Sequence, residues 1–336
     1  MKRVLIIQTG GTFAMVPRGP SGALGPAVAP AEWFERLPEC RDIAEVTFCQ
    51  VADVDSSNLG IAQWRAIARE VADNLDAFDG FVVIHGTDTM VYSAAALSFM
   101  LANLDRPVVL TGSQRPLASI RSDARSNLVS ALDLATRDIP EVGVFFGTRL
   151  FRGNRARKVS VHGFEAFESP NSPALADVGL EVQVHHERIR RPQGLFRVHD
   201  RFDPRVIVLR VTPGTEPALF ESLIASDVRA FVLEAFGAGH VPTLEGSWLP
   251  FVDRATSAGK VVAIATQAHA GAVDLGLYAC GQMLERAGAV GCGDMTVEAA
   301  TVKLMHLWGE LGDADRVRRN LRVPLAGELS CHGVSA

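Results

Sequence analysis

Cysteine is scarce in this sequence: there are five among 336 residues, and no two of them form a Cys-x-x-Cys pair. They stand at scattered positions, namely Cys40, Cys49, Cys280, Cys292 and Cys331. An odd and scattered set does not look like a disulfide framework, which argues against a disulfide-stapled secreted fold. We therefore expect a protein of a reducing compartment.

Long apolar runs are also missing. No stretch approaches the roughly twenty apolar residues that a membrane-spanning helix needs. At the N-terminus, Lys2 and Arg3 precede only four apolar residues, Val4–Ile7, whereas the core of a signal peptide has about seven to fifteen. We expect a cytoplasmic chain that is complete as it stands and has no membrane as a partner.

Basic residues are not in excess, since 33 Lys and Arg stand against 38 Asp and Glu and the formal net charge is −5. Domains that bind nucleic acid are usually basic, so nucleic acid is not an expected partner. The 48% hydrophobic and 21% charged residues are typical of an ordinary globular protein and exclude a disordered chain. The length predicts about two domains.

Short apolar runs alternate with amphipathic segments along the first half of the chain. Five runs are predicted to be buried strands: Val4–Ile7, Val46–Val51, Phe81–Ile84, Val108–Leu110 and Val142–Phe146. Two segments place apolar residues on one helical face: Trp64, Ile67, Ala68, Val71 and Leu75, and then Leu128, Ala131, Leu132 and Ala135. Continuous β-branched runs are typical of parallel strands covered on both faces. Strand–helix alternation of this kind predicts an α/β fold with a parallel sheet.

The alternation stops between residues 187 and 204, where charged residues, a proline and a glycine predict a linker or surface loop. It restarts with Val206–Val211, Phe231–Leu233 and Val261–Ala265. We therefore predict a larger N-terminal parallel-sheet domain over residues 1–190 and a smaller C-terminal α/β domain over residues 205–336.

Four of the predicted strands are followed by segments of similar chemistry. These segments present hydroxyls, carboxylates and glycines: Gln8–Thr12, Asp53–Ser57, His85–Thr89 and Thr111–Gln114. In open parallel sheets, ligands bind at the carboxyl ends of the strands, where these four segments would meet. The sequence therefore predicts an active site built around hydroxyl nucleophiles.

The Gly10–Gly11 turn allows a second interpretation, a dinucleotide site. The fingerprint G-x-G-x-x-G is absent, however, so the glycines do not fill the roles that such a site requires. Under the catalytic interpretation, the glycines let the chain turn sharply and present Thr12 beside backbone N–H groups that form part of an oxyanion hole.

Two threonine motifs, Thr9-Gly10-Gly11-Thr12 and His85-Gly86-Thr87-Asp88-Thr89, resemble the signature motifs of bacterial-type L-asparaginases. Further segments resemble the cytoplasmic, type I branch: Asp55–Ser57, Ser98–Leu101, Arg152–Arg155, Gly163–Phe167 and Gly293–Ala299. The resemblance implies the two-domain asparaginase-like fold, with a Rossmann-like C-terminal domain. It also implies hydrolysis of L-asparagine to L-aspartate and ammonia through a threonine nucleophile and an acyl-enzyme intermediate, without a metal or organic cofactor.

The resemblance also assigns roles to individual residues. Thr12 resembles the nucleophile, and Thr87, Asp88 and Lys158 resemble a second cluster in which the lysine and the aspartate polarise the threonine hydroxyl. Asp88 also resembles the residue that accepts the α-ammonium group of the substrate. The segment Asp55, Ser56 and Ser57 matches the one that holds the α-carboxylate. By its own neighbours, Arg155, Ala156 and Arg157, Lys158 would instead be interpreted as a solvated surface charge.

One tyrosine of the family is missing. The family has a tyrosine in the loop after the nucleophile, but here the loop is Ser21-Gly22-Ala23-Leu24-Gly25-Pro26, and the only tyrosines are Tyr92 and Tyr278. General acid–base assistance contributes about 10²–10⁴ in rate, so the absence affects the expected efficiency. Three alternatives stay open: a glutaminase-asparaginase, another amidase of the same fold, and a non-catalytic amino-acid binder.

Other conspicuous residues are interpreted as structural. His185-His186-Glu187 suggests a metal, but adjacent histidines in a strand point to opposite faces and no further ligands are evident. The basic run Arg149–Lys158 is too short for nucleic acid, and Cys292 is expected to be a small packing residue.

The resemblance finally implies a homodimer or homotetramer in which the C-terminal domain of one chain completes the site of its neighbour. The loop Phe236–His240 is the candidate contributor from that neighbour, and the segment Thr266–Asp274 is a second one.

Overall fold

A computed structural model of the chain describes residues 1–14, 16–18, 23–25 and 36–330, with the backbone alone at 14, 16–18 and 23–25. The chain divides into two compact units, Met1–Asp200 and Arg201–Ala336, which are called the first and the second unit below. Each has its own sheet and its own apolar core.

The first unit is built on an eight-stranded sheet in the order β13-β12-β9-β8-β7-β5-β1-β4. Its strands are β1 (Arg3–Gly10), β4 (Glu45–Val54), β5 (Gly80–Ile84), β7 (Val108–Thr111), β8 (Val142–Phe146), β9 (Arg149–Arg152), β12 (Ala176–Val178) and β13 (Val182–Val184). The strands β4, β1, β5, β7 and β8 are parallel. The strands β9, β12 and β13 extend the sheet in antiparallel fashion. The predicted α/β class with a parallel N-terminal sheet is confirmed.

Short ladders and helices complete the first unit. The two-stranded ladders pair β2 (Val16–Arg18) with β3 (Ala23–Gly25), β6 (Leu101–Ala102) with β14 (Arg197–Val198), and β10 (Arg157–Lys158) with β11 (Phe167–Glu168). The helices are α1 (Cys40–Ile43), α2 (Ile61–Asp73), α3 (Met90–Met100) and α4 (Ala124–Ala135), with 3₁₀ turns at Thr12–Ala14, Ser56–Asn58 and His186–Arg188.

The predicted strands of the first unit are all present, but one of them lies in a different environment. The run Val46–Val51 belongs to β4, whose residues are half-buried or exposed rather than buried. In the part of the chain that the structure describes, β4 is an edge strand and pairs with β1 alone, so it lacks the full cover that the continuous apolar run predicted. By contrast, every residue of β5 and of β8 is buried.

The two predicted helical faces are present with one exception. Helix α2 buries Trp64, Ile67, Ala68 and Val71, whereas Leu75 lies beyond the end of the helix and is only half-buried. In α4, all four predicted positions are buried: Leu128, Ala131, Leu132 and Ala135. The 3.6-residue period therefore identified the faces that pack on the sheet.

The segment predicted as a linker is partly integrated into the first unit. Ile189 is 8% exposed, and the backbone N–H of Arg190 donates to Oε1 of Glu141 at 2.6 Å. That carboxylate is also paired with the buried Arg152 guanidinium, Nε to Oε2 at 2.5 Å. A strongly charged stretch is therefore anchored by a buried ion pair instead of running freely over the surface.

The second unit contains a four-stranded parallel sheet in the order β15-β16-β17-β18. Its strands are β15 (Val206–Arg210), β16 (Ala230–Ala235), β17 (Val261–Thr266) and β18 (Val290–Gly291). Its helices are α5 (Glu221–Ala225), α6 (Leu249–Ser257), α7 (Ala279–Arg286), α8 (Val297–Leu311) and α9 (Ala314–Leu321), with a 3₁₀ turn at Pro217–Phe220. The three predicted strands of this domain are present, and Cys292 lies in its core at 1% exposure.

A fully buried ion pair holds the end of the second unit in place. The ammonium of Lys303 lies 2.5 Å from Oε1 of Glu328, and both side chains are 0% exposed. Lys303 also donates to the carbonyl oxygens of Leu321 and Val323, at 2.8 and 2.7 Å. The pair therefore ties helix α8 to the segment that follows α9.

We expect Glu328→Gln to lower the free energy of unfolding of the second unit by about 3–5 kcal/mol, because the buried Lys303 ammonium loses its counter-charge. Urea denaturation followed by circular dichroism measures the loss. Glu221→Gln is the matched control, since Glu221 pairs with Arg254 at the surface and such pairs contribute about 0–1 kcal/mol. Equal losses in the two variants would contradict the prediction.

None of the helices within the described residues combines the length and hydropathy that a membrane span needs. The four cysteines in the described part of the chain, Cys40, Cys49, Cys280 and Cys292, are free thiols.

Candidate active site

The polar segments that follow β1, β4, β5 and β7 meet at one edge of the first sheet. These four strands are parallel neighbours in the order β7-β5-β1-β4, so their carboxyl ends point the same way. The edge formed by Gln8–Thr12, Asp53–Ser57, His85–Thr89 and Thr111–Gln114 is called the rim below. The place of the rim in the fold is the one at which open parallel sheets bind ligands.

Glycines bring three of the rim segments into direct contact. A Cβ on Gly11 would lie 2.6 Å from Cα of Gly86, and a Cβ on Gly86 would lie 2.6 Å from Oγ of Ser56. Gly11 also has a φ of +85°, which L side chains rarely adopt. A larger residue at either position would therefore force the segments apart.

The two candidate threonines lie on either side of the contact between Gly11 and Gly86. Thr12 directly follows Gly11, and Thr87 directly follows Gly86. Thr12 begins a 3₁₀ turn and is half-exposed, whereas Thr87 is 9% exposed. The two hydroxyl-bearing residues therefore flank one close approach of the backbone.

Lys158 reaches this place from a part of the chain some seventy residues further on. Its Nζ donates to Oγ1 of Thr87 at 2.9 Å and to Oδ1 of Asp88 at 2.5 Å. The side chain of Lys158 is 16% exposed, so the interpretation of Lys158 as a solvated surface charge is wrong. Its position comes from the β10–β11 ladder, in which Lys158 pairs with Phe167.

Asp55 and Ser57 are engaged mainly with each other. The backbone N–H and the hydroxyl of Ser57 donate to Oδ1 of Asp55 at 2.8 and 2.6 Å. These bonds, that of the hydroxyl first, lower the pKa of the Asp55 carboxyl. Asp55 thus caps the short turn that carries Ser56, which is 2% exposed. Thr89 joins this turn to its own segment by donating to the carbonyl oxygen of Ser56 at 2.6 Å.

Gln114 is a rim residue to which the sequence assigned no role of its own. Its side-chain Oε1 accepts a long hydrogen bond of 3.4 Å from the Thr87 hydroxyl. Its Nε2 donates to the carbonyl oxygen of Gly163 at 3.1 Å. Its position just after β7, in the fourth polar segment, was the signal that could have identified it.

His85, at the start of the third rim segment, is also without a role in the sequence-based prediction. The ring is 1% exposed, and burial lowers the pKa of His85 from 6.5 to about 4. Both ring nitrogens have hydrogen-bond partners, the carbonyl oxygen of Gly86 at 2.7 Å and Oγ of Ser93 at 2.8 Å. At neutral pH the imidazole is therefore an uncharged, fully bonded group.

Acid is expected to weaken the first unit through His85. The unfolded chain takes up a proton near pH 6.5, whereas the folded protein does so only near pH 4. The neutral His85 therefore contributes fully to the free energy of unfolding above pH 6.5. About 3 kcal/mol of that free energy is lost as the pH falls from 6.5 to about 4.

Urea denaturation of the wild type and of His85→Asn between pH 7 and pH 4.5 measures this contribution, since asparagine does not titrate. The difference in the free energy of unfolding should shrink as the pH falls. Two curves that stay parallel would show that His85 does not carry the effect.

The remaining sequence predictions fall elsewhere. Ser21 and Gly22 lie outside the described residues, as do the side chains of Ala23 and Leu24. The expected strand at His185 and His186 is wrong, because His186 begins a 3₁₀ turn after β13. Within the described ranges, no group of three or more His, Cys, Asp or Glu side chains could hold a metal ion.

The chain is similar to known proteins over nearly its whole length. Residues 3–190 match the family described as "Asparaginase, N-terminal", and residues 205–321 match the "Glutaminase/Asparaginase C-terminal domain". The chain is 38% identical to L-asparaginase 1 of Escherichia coli strain K12 over 342 aligned residues, which cover 98% of each protein.

Two solved structures are also similar over nearly their whole length. The thermostable L-asparaginase from Thermococcus kodakarensis is 35% identical with a TM-score of 0.92, covering 98% of this chain and 99% of that one. L-asparaginase I from Vibrio cholerae is 36% identical with a TM-score of 0.89 and the same coverage. With both family domains matched and the threonine motifs gathered on one rim, the chain belongs to the asparaginase family.

Proposed function

We propose that the protein is an L-asparaginase, which hydrolyses L-asparagine to L-aspartate and ammonia, and that residues 1–190 carry the catalytic groups. The contact of Lys158 with Thr87 and Asp88, beside the turn that presents Thr12, is the observation that carries the proposal. A hydroxyl is a weak nucleophile until neighbouring groups activate it, and this cluster supplies such groups.

Two fixed features of the rim suit the two charges of a free amino acid. The Asp88 side chain is 63% exposed, and Lys158 approaches its Oδ1, so the carboxylate can also accept the α-ammonium group. The Ser56 turn, with Asp55 and Ser57, is the proposed site for the α-carboxylate. Because Oδ1 of Asp55 already accepts two hydrogen bonds from Ser57, Asp55 serves mainly to hold Ser56 in place.

The chemistry then proceeds in two steps. In the first, Oγ1 of Thr12 attacks the side-chain amide carbon and its proton passes to the leaving nitrogen. The carbon–nitrogen bond breaks, ammonia departs, and a β-aspartyl ester is left on Thr12. In the second, water attacks the ester carbon, aspartate leaves, and Thr12 recovers its proton. In the second step Thr87, bonded to Lys158, activates water or relays the proton.

Release of ammonia from L-asparagine and from L-glutamine by the purified protein tests the proposal. We expect a higher kcat/KM for asparagine. The two amides differ by one methylene, a difference that a pocket converts into about 1–3 kcal/mol. A preference for glutamine would make the protein a glutaminase-asparaginase, turnover of a different amide would make it another amidase, and binding without turnover would make it an amino-acid binder.

We also propose a cytoplasmic location and self-association as a homodimer or homotetramer. The free, scattered cysteines support a reducing compartment. Sedimentation velocity at assay concentration tests the association, and a monomer that turns over asparagine would refute it.

Restoring a phenol in the loop after Thr12 is expected to raise kcat more than it lowers KM. The variants are Ala23→Tyr and Leu24→Tyr, which lie in β3 opposite Arg18 and Pro17. A phenol that assists proton transfer acts on the chemical step, while substrate binding by the rim is unchanged. Steady-state kinetics of each variant measures the split, with Ala23→Phe and Leu24→Phe as controls for the aromatic ring. An unchanged kcat in both tyrosine variants would show that another group already fills the role.

A further inference from the structure

A second hydroxyl–imidazole contact lies behind the rim. Oγ of Ser93, on helix α3, lies 2.8 Å from Nε2 of His85, a distance typical of a nucleophile and its general base. Ser93 is 0% exposed and His85 is 1% exposed, so a substrate does not reach this pair. The contact therefore needs an explanation other than nucleophilic catalysis.

The hydrogen bonds of this pair have only one consistent set of directions. The carbonyl oxygen of Gly86 can only accept, so the proton of the neutral His85 ring is on Nδ1, which donates to it at 2.7 Å. Nε2 then accepts from the Ser93 hydroxyl, and Oγ of Ser93 accepts from the indole Nε1 of Trp64 at 2.8 Å. A chain of donors thus runs from Trp64 to the Gly86 carbonyl.

The segment His85–Thr87, at the end of these hydrogen bonds, lies among the other rim segments. Its residue Gly86 contacts Gly11 and Ser56, and a Cβ on Gly112 would collide with the His85 carbonyl oxygen. The N–H of His85 donates to the carbonyl oxygen of Thr111 at 2.8 Å. A displacement of this segment would therefore disturb all three neighbouring segments. The Gly86 carbonyl itself belongs to the peptide that joins Gly86 to Thr87, so its orientation also sets that of Thr87.

We propose that His85, Ser93 and Trp64 are positioning residues, which hold the Gly86 carbonyl and thereby fix Thr87 for its contact with Lys158. The inference rests on the proposed function, since it concerns the geometry of that site. None of the three side chains exchanges a proton with the substrate. Their effect passes through the backbone, where a displacement of about 1 Å can cost about 100-fold in rate.

Two substitutions of His85 separate positioning from packing. His85→Asn keeps a donor on the γ-carbon, where Nδ1 is attached in histidine, and so can still bond the Gly86 carbonyl. His85→Phe keeps a ring but has no donor. We expect kcat per active site, counted by trapping with a reactive amide analogue, to fall at least about 100-fold in His85→Phe. In His85→Asn, which loses the Ser93 contact but keeps the bond to Gly86, we expect a loss of only about tenfold.

Ser93→Ala and Ser98→Ala form a matched pair on the same helix. Ser98 donates to the Ala94 carbonyl oxygen within its own helix, at 2.7 Å, so loss of its hydroxyl should leave kcat unchanged. Ser93→Ala leaves both Nε2 of His85 and the Trp64 indole without this partner, and we expect kcat to fall about tenfold. Folded His85→Phe with wild-type kcat, His85→Asn no better than His85→Phe, or equal behaviour of the two serine variants would each overturn the proposal.

NMR spectroscopy tests the proposed hydrogen-bond directions of His85 without any measurement of enzyme activity. In the wild type, ¹⁵N NMR of the imidazole should show the neutral Nδ1–H form of His85 at pH 7, and the Nε2–H form or a charged ring would overturn the inference. Wild-type protein that releases no ammonia from asparagine would refute the proposed function, whereas the NMR result bears on the positioning chain alone.

Discussion

Replacement of Thr12 by valine is expected to lower kcat for asparagine by at least about 10⁴-fold. Valine has the shape of threonine but no hydroxyl, so the first step loses its nucleophile. Loss of a nucleophile typically costs as much as loss of the whole catalytic set. Because Asp88 and the Ser56 turn are unchanged, we expect the affinity for aspartate, measured by calorimetry, to stay close to that of the wild type.

The matched control is Thr136→Val, in the same unit and with the same loss of a hydroxyl. Thr136 donates to the Asp133 carbonyl oxygen at the end of α4, at 2.7 Å, and it is not a rim residue. Trapping of the wild type with a reactive amide analogue, followed by peptide mass mapping, should place the adduct on Thr12. An adduct on Thr87 would reverse the roles of the two threonines.

Replacement of Lys158 by methionine is expected to lower kcat by about 10²–10⁴-fold, the usual contribution of a group that assists proton transfer. Methionine has a similar length but no ammonium, so the contacts with Thr87 at 2.9 Å and Asp88 at 2.5 Å are lost. Lys158→Arg should not restore the rate, since a planar guanidinium cannot place one donor between the same two oxygens.

Lys2→Met is the control for Lys158→Met. Lys2 also donates to an aspartate, Asp79 at 2.8 Å, but its side chain is 58% exposed. Exposed pairs of this kind contribute little, so steady-state kinetics should show the wild-type kcat. A Lys158→Met variant as active as Lys2→Met would exclude Lys158 from the mechanism.

The parallel strands of the two larger sheets, except the two-residue β18, could be predicted because buried parallel strands consist of continuous apolar residues. The same logic failed for β4, since its run of apolar residues is similar to that of a central strand. Strand order decides which strand lies at the edge of a sheet, and residue periodicity contains no information about strand order. The antiparallel strands β9, β12 and β13 were missed for a different reason. They have only three or four residues each, which is too short for an alternating pattern to be recognised.

Within the candidate site, contacts between residues close in the sequence could be predicted, whereas contacts between distant residues could not. The hydrogen bond from Ser57 to Asp55 joins residues two positions apart, and such Asx turns follow from the sequence itself. The contact of Lys158 with Thr87 joins residues 71 positions apart. The neighbours of Lys158 are basic, and only the family resemblance selected it.

The sequence by itself determined the α/β class, the two-domain organisation expected of the chain, and the four polar segments that follow predicted strands. These properties depend on residue type and on periods of two or 3.6 residues, which can be read along the chain. The tertiary structure alone decided that Lys158 is largely buried against Thr87 and Asp88, that Gly11 touches Gly86, and that His85 is bonded on both sides. Such contacts depend on strand order and on the close approach of distant backbones, which no local pattern specifies.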